Sequence, residues 1–246
     1  YAEVGNDAPV YSLLSTYSQG TNWGNYALFS VNSTLQNPNL KPERTKSFEI
    51  GLEANLFDNR VRLDVAYYNN KSVDQLMPVQ VSPLSGYSSI WLNSGEVENK
   101  GIEISISGTL VKTKDFTWDM DVNWFKNNNK VIRLYENEAG EEVDNLLVFS
   151  QWDASINAKV GEPYGVIRGT DYIYTNGQPT VNENGYYMKT DETDEVIGNI
   201  QPDWNMGISS RMTYKGFTFN VLFDIQKGGD IYSVNTKYGQ ATGVYA

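Results

Sequence analysis

The chain has 246 residues, no cysteine and no histidine, with 30 acidic against 19 basic side chains. Its acidity argues against a nucleic-acid partner; without cysteine there is neither a disulfide framework nor a thiol nucleophile, and without histidine the commonest general base and metal ligand are missing. No apolar run of about eighteen residues occurs, so no transmembrane helix is expected, whereas a barrel strand shows lipid only its alternate residues and tolerates a mean hydropathy of −0.47.

Six segments alternate apolar and polar side chains with period two, the signature of a strand. The first, residues 45–56, carries Phe48, Ile50, Leu52, Ala54 and Leu56 on one face and Ser47, Glu49, Gly51, Glu53 and Asn55 on the other. Residues 61–70 follow with Val61, Leu63, Val65 and Tyr67, and residues 97–110 with Ile102, Ile104, Ile106 and Leu110. Residues 116–126 set Phe116, Trp118, Met120, Val122 and Trp124 against Thr117, Asp119, Asp121 and Asn123. Residues 203–214 carry Trp204, Met206, Ile208, Met212 and Tyr214, and residues 217–226 carry Phe217, Phe219, Val221, Phe223 and Ile225.

A β-sandwich would also give strands with one dry face. Three features favour lipid instead. The segments match the roughly nine to eleven residues a tilted strand needs to cross a bilayer. Aromatics gather near both ends of the apolar faces: Phe48, Tyr67, Trp124 and Trp204 at one end, Phe116, Trp118, Tyr214 and Phe217 at the other, as two interfacial girdles would. Connections also alternate between tight turns (Phe57 to Arg60, Val111 to Asp115, Lys215-Gly216) and long excursions over 5–44, 70–96 and 127–202. That asymmetry belongs to outer-membrane barrels, with short periplasmic turns and long extracellular loops, and all six strands obey the alternation. The fold class is therefore all-β, a transmembrane antiparallel β-barrel segment. Six strands cannot close a barrel, so the sequence reads as part of a longer chain.

Glu49, Glu53, Asp64, Glu103, Asp119, Asp121 and Asp224 fall on the polar face. Carboxylates in a water-filled lumen lack the desolvation that tunes a catalytic acid, so they are read as lining, in part paired with Arg62 and Arg211, and no enzyme is expected. The acidic groups Glu136, Glu138, Glu141, Glu142 and Asp144, and Asp191, Glu192, Asp194 and Glu195, are read as solvated loop surface rather than calcium ligands; neither metal nor cofactor is expected. Within 127–202 the strand-like piece Tyr164 to Tyr174 bears Arg168 on one face and Asp171 on the other, so neither suits lipid and the piece belongs above the membrane. Loop aromatics among Asn, Gln, Ser and Asp suit stacking on sugar faces while hydrogen-bonding hydroxyls, or pack their own loops together; the candidate binding residues are Trp23, Tyr26, Tyr87, Trp91, Trp152, Tyr172 and Tyr174.

Several blocks go beyond periodicity. They are Tyr1 to Asp7, Asn37-Pro-Asn-Leu-Lys-Pro-Glu-Arg-Thr45 with Phe48 to Gly51, Asn93-Ser-Gly95 with Asn99 to Glu103, Ile197-Gly-Asn199 with Pro202-Asp203-Trp204, and Lys227 to Ile231. In this order they resemble the later part of the barrel in SusC/RagA-like TonB-dependent outer-membrane transporters of Bacteroidota, Tyr1 to Asp7 matching the end of a preceding strand. The resemblance implies a barrel of 22 strands, with the plug domain, the TonB-contacting segment and the final strands outside this chain. It also implies import of oligosaccharides or peptides beneath a SusD-like surface lipoprotein. A non-transporting surface barrel that binds through its loops is the alternative. Residues 189–195 lack the glycine of the family's calcium-like loop, so no metal is carried over. Gly51 and Gly101 lie on inward positions, where they either make room in the lumen or relieve curvature.

Overall fold

The structure, a computed structural model, describes residues 1–137 and 140–245. In chain order the strands are β1 (Ala2–Asn6), β2 (Tyr17–Gln19), β3 (Phe29–Val31), β4 (Thr34–Leu35), β5 (Glu43–Leu56), β6 (Val61–Val73), β7 (Leu76–Gln80), β8 (Ser89–Asn93), β9 (Glu96–Lys112), β10 (Phe116–Arg133), β11 (Asn145–Gln151), β12 (Ala154–Lys159), β13 (Val166–Gly169), β14 (Tyr174–Thr175), β15 (Gln178–Pro179), β16 (Glu195–Asn199), β17 (Pro202–Tyr214) and β18 (Phe217–Gly228). One helix, α1 (Val234–Ala241), follows.

Seven strands form one antiparallel sheet in the order β1-β5-β6-β9-β10-β17-β18. Its register turns the six sequence patterns into continuous rows. Leu52, Val65, Ile104, Trp124, Met206 and Ile225 face one another across the sheet, and Ala54, Leu63, Ile106, Val122, Ile208 and Phe223 form the neighbouring row. A one-residue slip anywhere would put a charge into the belt, so the register is strongly specified. The opposite face carries rows such as Glu53, Asp64, Ser105, Asn123, Gly207 and Asp224. Within the described chain nothing covers the apolar face: Ile50, Leu52 and Phe219 are 61%, 62% and 62% exposed. A soluble sheet rarely leaves so large a contiguous apolar surface in water.

The long strands run past the expected ends. Residues 127–133, expected as loop, continue β10, because their alternate asparagines bond across the polar face: Asn127 and Asn129 each donate from Nδ2 to Asn99 Oδ1, at 3.0 and 2.8 Å. β1 pairs with β5 as a seventh stave, so residues 5 and 6 are strand and not loop. A register shift on β9 leaves Leu110 without a partner and puts Val111 opposite Trp118, so the strict alternation expected through Leu110 breaks there. Trp118 Nε1 donates to Ser210 Oγ at 2.9 Å, which satisfies both polar groups on the apolar face.

At the turn end, Lys215 (φ 45°) and Gly216 (φ 86°) are both left-handed, the backbone a two-residue hairpin with right-twisted strands requires. On the polar face Gly101 stands opposite Tyr68, and a Cβ there would fall 2.3 Å from Tyr68 Cζ. The glycine is a bed for the phenol ring. Gly101→Ala is therefore expected to lower stability by about 1–2 kcal/mol. Adding Tyr68→Ala should recover most of that loss in urea unfolding of the full-length protein, whereas additive losses would show that the ring does not need the space.

The excursions are not bare loops. β4, β8 and β7 form a three-stranded sheet, β2–β3 and β14–β15 are hairpins, and β11-β12-β13-β16 form a four-stranded crown. The crown packs on the polar face where β9 and β10 end: Val97, Val131, Leu134 and Ala158 make one buried cluster, flanked by Tyr135, Val143, Leu146 and Tyr164. The strand-like piece Tyr164 to Tyr174 contains β13, whose four residues are all buried, and ends at the first residue of β14. Arg168 lies buried inside the crown. Its guanidinium donates from one nitrogen to both Glu162 oxygens, at 2.6 and 2.7 Å, and from another to the Asp194 carbonyl.

Candidate functional site

The sequence blocks turn out to be ties between separate segments. Asn93 Oδ1 accepts from the Lys41 amide at 2.7 Å, while its Nδ2 donates to the Lys41 and Asp74 carbonyls. Asn37 Nδ2 donates to the Trp91 carbonyl at 3.0 Å, and Glu43 accepts from Asn6 Nδ2 and the Leu76 amide. Thus the stretch before β5 is stitched to the β7–β8 hairpin. A second tie joins the crown to the end of β18: Asp230 Oδ2 accepts from the Asn199 amide at 2.9 Å, and the Asp230 amide donates to the Asn199 carbonyl at 2.7 Å. Gly198 makes room for this contact, since a Cβ there would meet the Asp230 side chain at 2.9 Å.

Two of the concave surfaces among the described residues carry polar groups suited to a ligand. One, about 470 Å³, lies on the polar face and is lined by Ser47, Glu49, Tyr68, Asn99, Glu103 and Asn127. Tyr68 Oη donates to Asn127 Oδ1 at 3.1 Å, and Asn129 Oδ1 accepts from the Tyr164 amide at 2.8 Å, so the crown begins where this amide network ends. The other, about 480 Å³, lies between the crown and α1 and is lined by Asp153, Thr170, Lys189, Tyr232, Ser233 and Lys237 among others. Lys237 pairs with Asp153 and lies 5.8 Å from the Trp152 ring, which meets Tyr238 edge-on at 4.7 Å. Lys189 lies 5.4 Å from the Tyr172 ring, which meets Tyr187 edge-on at 5.7 Å. The hydrogen bond to Asp153 holds the Lys237 ammonium above its ordinary pKa, and burial pushes the Tyr135 phenol up.

The chain matches the family model described as TonB dependent receptor-like, beta-barrel, over residues 5–242. It belongs to the TonB-dependent receptor β-barrel family. It is 32% identical to TonB-dependent receptor P3 of Formosa agariphila over 228 residues, covering 82% of this chain and 22% of the relative. To TonB-dependent receptor SusC of Bacteroides thetaiotaomicron it is 28% identical over 238 residues, covering 88% and 23%. Its fold is similar to part of a chain in the structure of the RagAB peptide importer in the closed-closed state, with a TM-score of 0.74 at 21% identity over 92% of this chain and 26% of that one. The chain thus spans under a quarter of the curated relatives just named. This family resides in the outer membrane, and the relatives are receptors and transporters, not enzymes.

Within this receptor segment the candidate aromatics separate into two sets. Trp152 and Tyr172 lie beside one cleft, each near a lysine that lines it (Lys237 and Lys189), and Tyr174 lies on the β14–β15 hairpin opposite Pro179; none of the three lines the cleft itself. Trp23 and Tyr26 bond each other's backbones elsewhere, exposed at 77% and 76%, and Tyr87 and Trp91 belong to the β7–β8 hairpin region; none of these four lines the cleft. Lys189, Lys237 and Tyr238 were not among the candidates. The Asn176-Gly177 pair, with φ of 53° and 78°, was a hairpin signal that could have located β14–β15. Of the polar-face pairings expected, Arg62 bonds Glu53 at 2.9 Å, whereas Arg211 donates to Asn220 instead of a carboxylate. Among the described residues no three carboxylates converge on a point that could hold a metal, and Glu138 of the first acidic group lies outside those residues. Amide, carboxylate and phenol groups on the wall, with rings and ammoniums in the cleft, are equipped to hold a ligand rich in hydroxyls or amides.

Proposed function

We propose that this chain forms consecutive staves of a 22-stranded SusC/RagA-like transporter that imports oligosaccharides or peptides across the outer membrane. In this reading the turn end is periplasmic and the crown, hairpins and cleft are extracellular. A SusD-like lipoprotein caps them, and a plug released by TonB lies in parts of the protein outside these residues. Trp23, Tyr26, Tyr87, Trp91, Trp152, Tyr172 and Tyr174 contact substrate or that lipoprotein. The observation that carries the reading is the pairing of an uncovered apolar belt with a crown folded over the polar face at one end only, which supports a pore wall with a built mouth.

The test uses cells that carry the full-length protein. Deleting its gene, or the TonB gene, should abolish growth on one oligosaccharide or peptide mixture, and unchanged growth on all of them would overturn the transport reading. Orientation is tested with single cysteines, since none occurs in these 246 residues. A membrane-impermeant maleimide should label Leu84→Cys on intact cells and Lys114→Cys only after disruption; the reverse would invert the assignment.

A further inference from the structure

The register places charge very unevenly. On the apolar-belt face, just past its last apolar rows at the loop end, stand Lys46, Lys71, Lys100, Lys126, Lys130 and Lys227, six of the 13 lysines in the sequence. Lys126 stands opposite Ile102, Lys100 opposite Asn69 and Asn128, and Lys227 opposite Trp204, so the ammoniums begin within one or two residues of the belt. The carboxylates among them are few and already engaged. Glu98 takes Lys100 at 2.8 Å and Lys71 at 3.6 Å, Glu96 takes Lys71 at 3.7 Å, and Glu3 takes Arg44 at 3.6 Å. Lys46, Lys126, Lys130 and Lys227 are exposed and form no ion pair among the described residues. Lys46 stands opposite Lys71 on one side and Glu3 on the other, and Glu3 bonds Arg44 rather than Lys46. All of this occurs on a chain of net charge −11, whose other sheet face carries Glu43, Glu49, Glu53, Asp64, Glu103, Asp119, Asp121 and Asp224 among its carboxylates, with Arg62, Lys112 and Arg211 among its basic groups.

We infer that this lysine rim binds the phosphate groups of an anionic glycolipid in the leaflet that surrounds the loop end of the barrel. The inference rests on the outer-membrane reading above. Charge complementarity names the ligand class, and position names the source. The rim shares a face and continuous strands with the belt, so what lies against it is the headgroup layer of the lipid whose chains lie against the belt. Long lysine side chains reach that layer while their methylenes stay on apolar surface. The four unpaired ammoniums supply the binding, and the two held by Glu98 and Glu96 keep the row in order.

The test measures binding of purified full-length protein to lipid A in mixed detergent micelles. Lys46→Gln, Lys126→Gln, Lys130→Gln and Lys227→Gln combined should weaken it on the order of 100-fold. The same change at Lys112, Lys114 and Lys215, at the turn end, should leave it unaltered. Parent protein should bind enzymatically dephosphorylated lipid A no better than the rim variant binds intact lipid A. Its affinity should also fall steeply as KCl rises from about 50 mM to about 500 mM, a readout that needs no variant. Equal binding by rim variant and parent, equal binding of dephosphorylated lipid A, or full competition by millimolar inorganic phosphate would overturn the proposal. So would a rim variant that keeps lipid A but loses an acidic partner protein. Flotation of the parent outside the outer-membrane fraction would instead overturn the reading beneath it.

Discussion

Val65→Arg is expected to lower the unfolding free energy of the full-length barrel in lipid vesicles by about 2–4 kcal/mol, whereas Ser105→Arg should change it by no more than about 0.5 kcal/mol. The two positions differ by one step of strand parity. Val65 lies in the row with Leu52, Ile104 and Trp124, and Ser105 in the row with Glu53, Asp64 and Asn123. A guanidinium at mid-belt must be carried in hydrocarbon or must drag water and headgroups toward it, while one on the polar face stays hydrated beside carboxylates. Depth distinguishes lipid from a protein partner on the same face. Phe217→Arg, in the last row before the Lys215-Gly216 turn, should cost only about 0–1 kcal/mol, because there the charge reaches the interface. A penalty at Phe217 equal to that at Val65 would mean that the belt is covered by protein.

Arg168→Ala should cost the crown about 2–3 kcal/mol. Losing one member of a buried ion pair typically costs about 3–5 kcal/mol; Glu162 keeps 30% of its side-chain surface in water, so the lower figure applies. The loss should appear as faster amide exchange over Val166–Gly169 and Ala154–Lys159 with the exchange of β5, β6 and β9 unaltered. Replacing both partners, Arg168→Met with Glu162→Gln, should restore most of the protection, since no buried charge is then left unpaired. Unchanged exchange in Arg168→Ala would show that the crown owes its order to its apolar cluster alone.

The belt was legible because period two with one uncharged face leaves little freedom: which residues face the belt can be written from sequence, whereas the shift at Leu110 and the register of β17 on β10, joined by a long excursion, cannot. β1 was not, since Ala2-Glu3-Val4-Gly5-Asn6 has too few apolar residues to show a period, and only resemblance assigned it. β13 was legible as a strand-like piece unfit for lipid, but its burial on both faces was not, because the partner that lets Arg168 be buried, Glu162, lies outside the strand. For the cleft, the aromatic residue type was readable but not the grouping. Trp152 meets Tyr238 across 86 positions of chain, and no local pattern announces that pairing. The blocks that carried the family resemblance owe their residue types to long-range bonds, Asn93 to Lys41 and Asp230 to Asn199, which become visible only when both ends are in place.

The crown is fastened to its surroundings on two sides: to β10 through Asn129 with the Tyr164 amide and Val131 with Glu162 and Gly161, and to the stretch after β18 through Asp230 with Asn199 and Lys237 with Asp153. A plate pinned along one edge can swing, but a plate held along two edges has no single axis about which to turn. In the transport reading proposed above, this sector of the mouth is a fixed jamb, and the moving part belongs elsewhere in the frame.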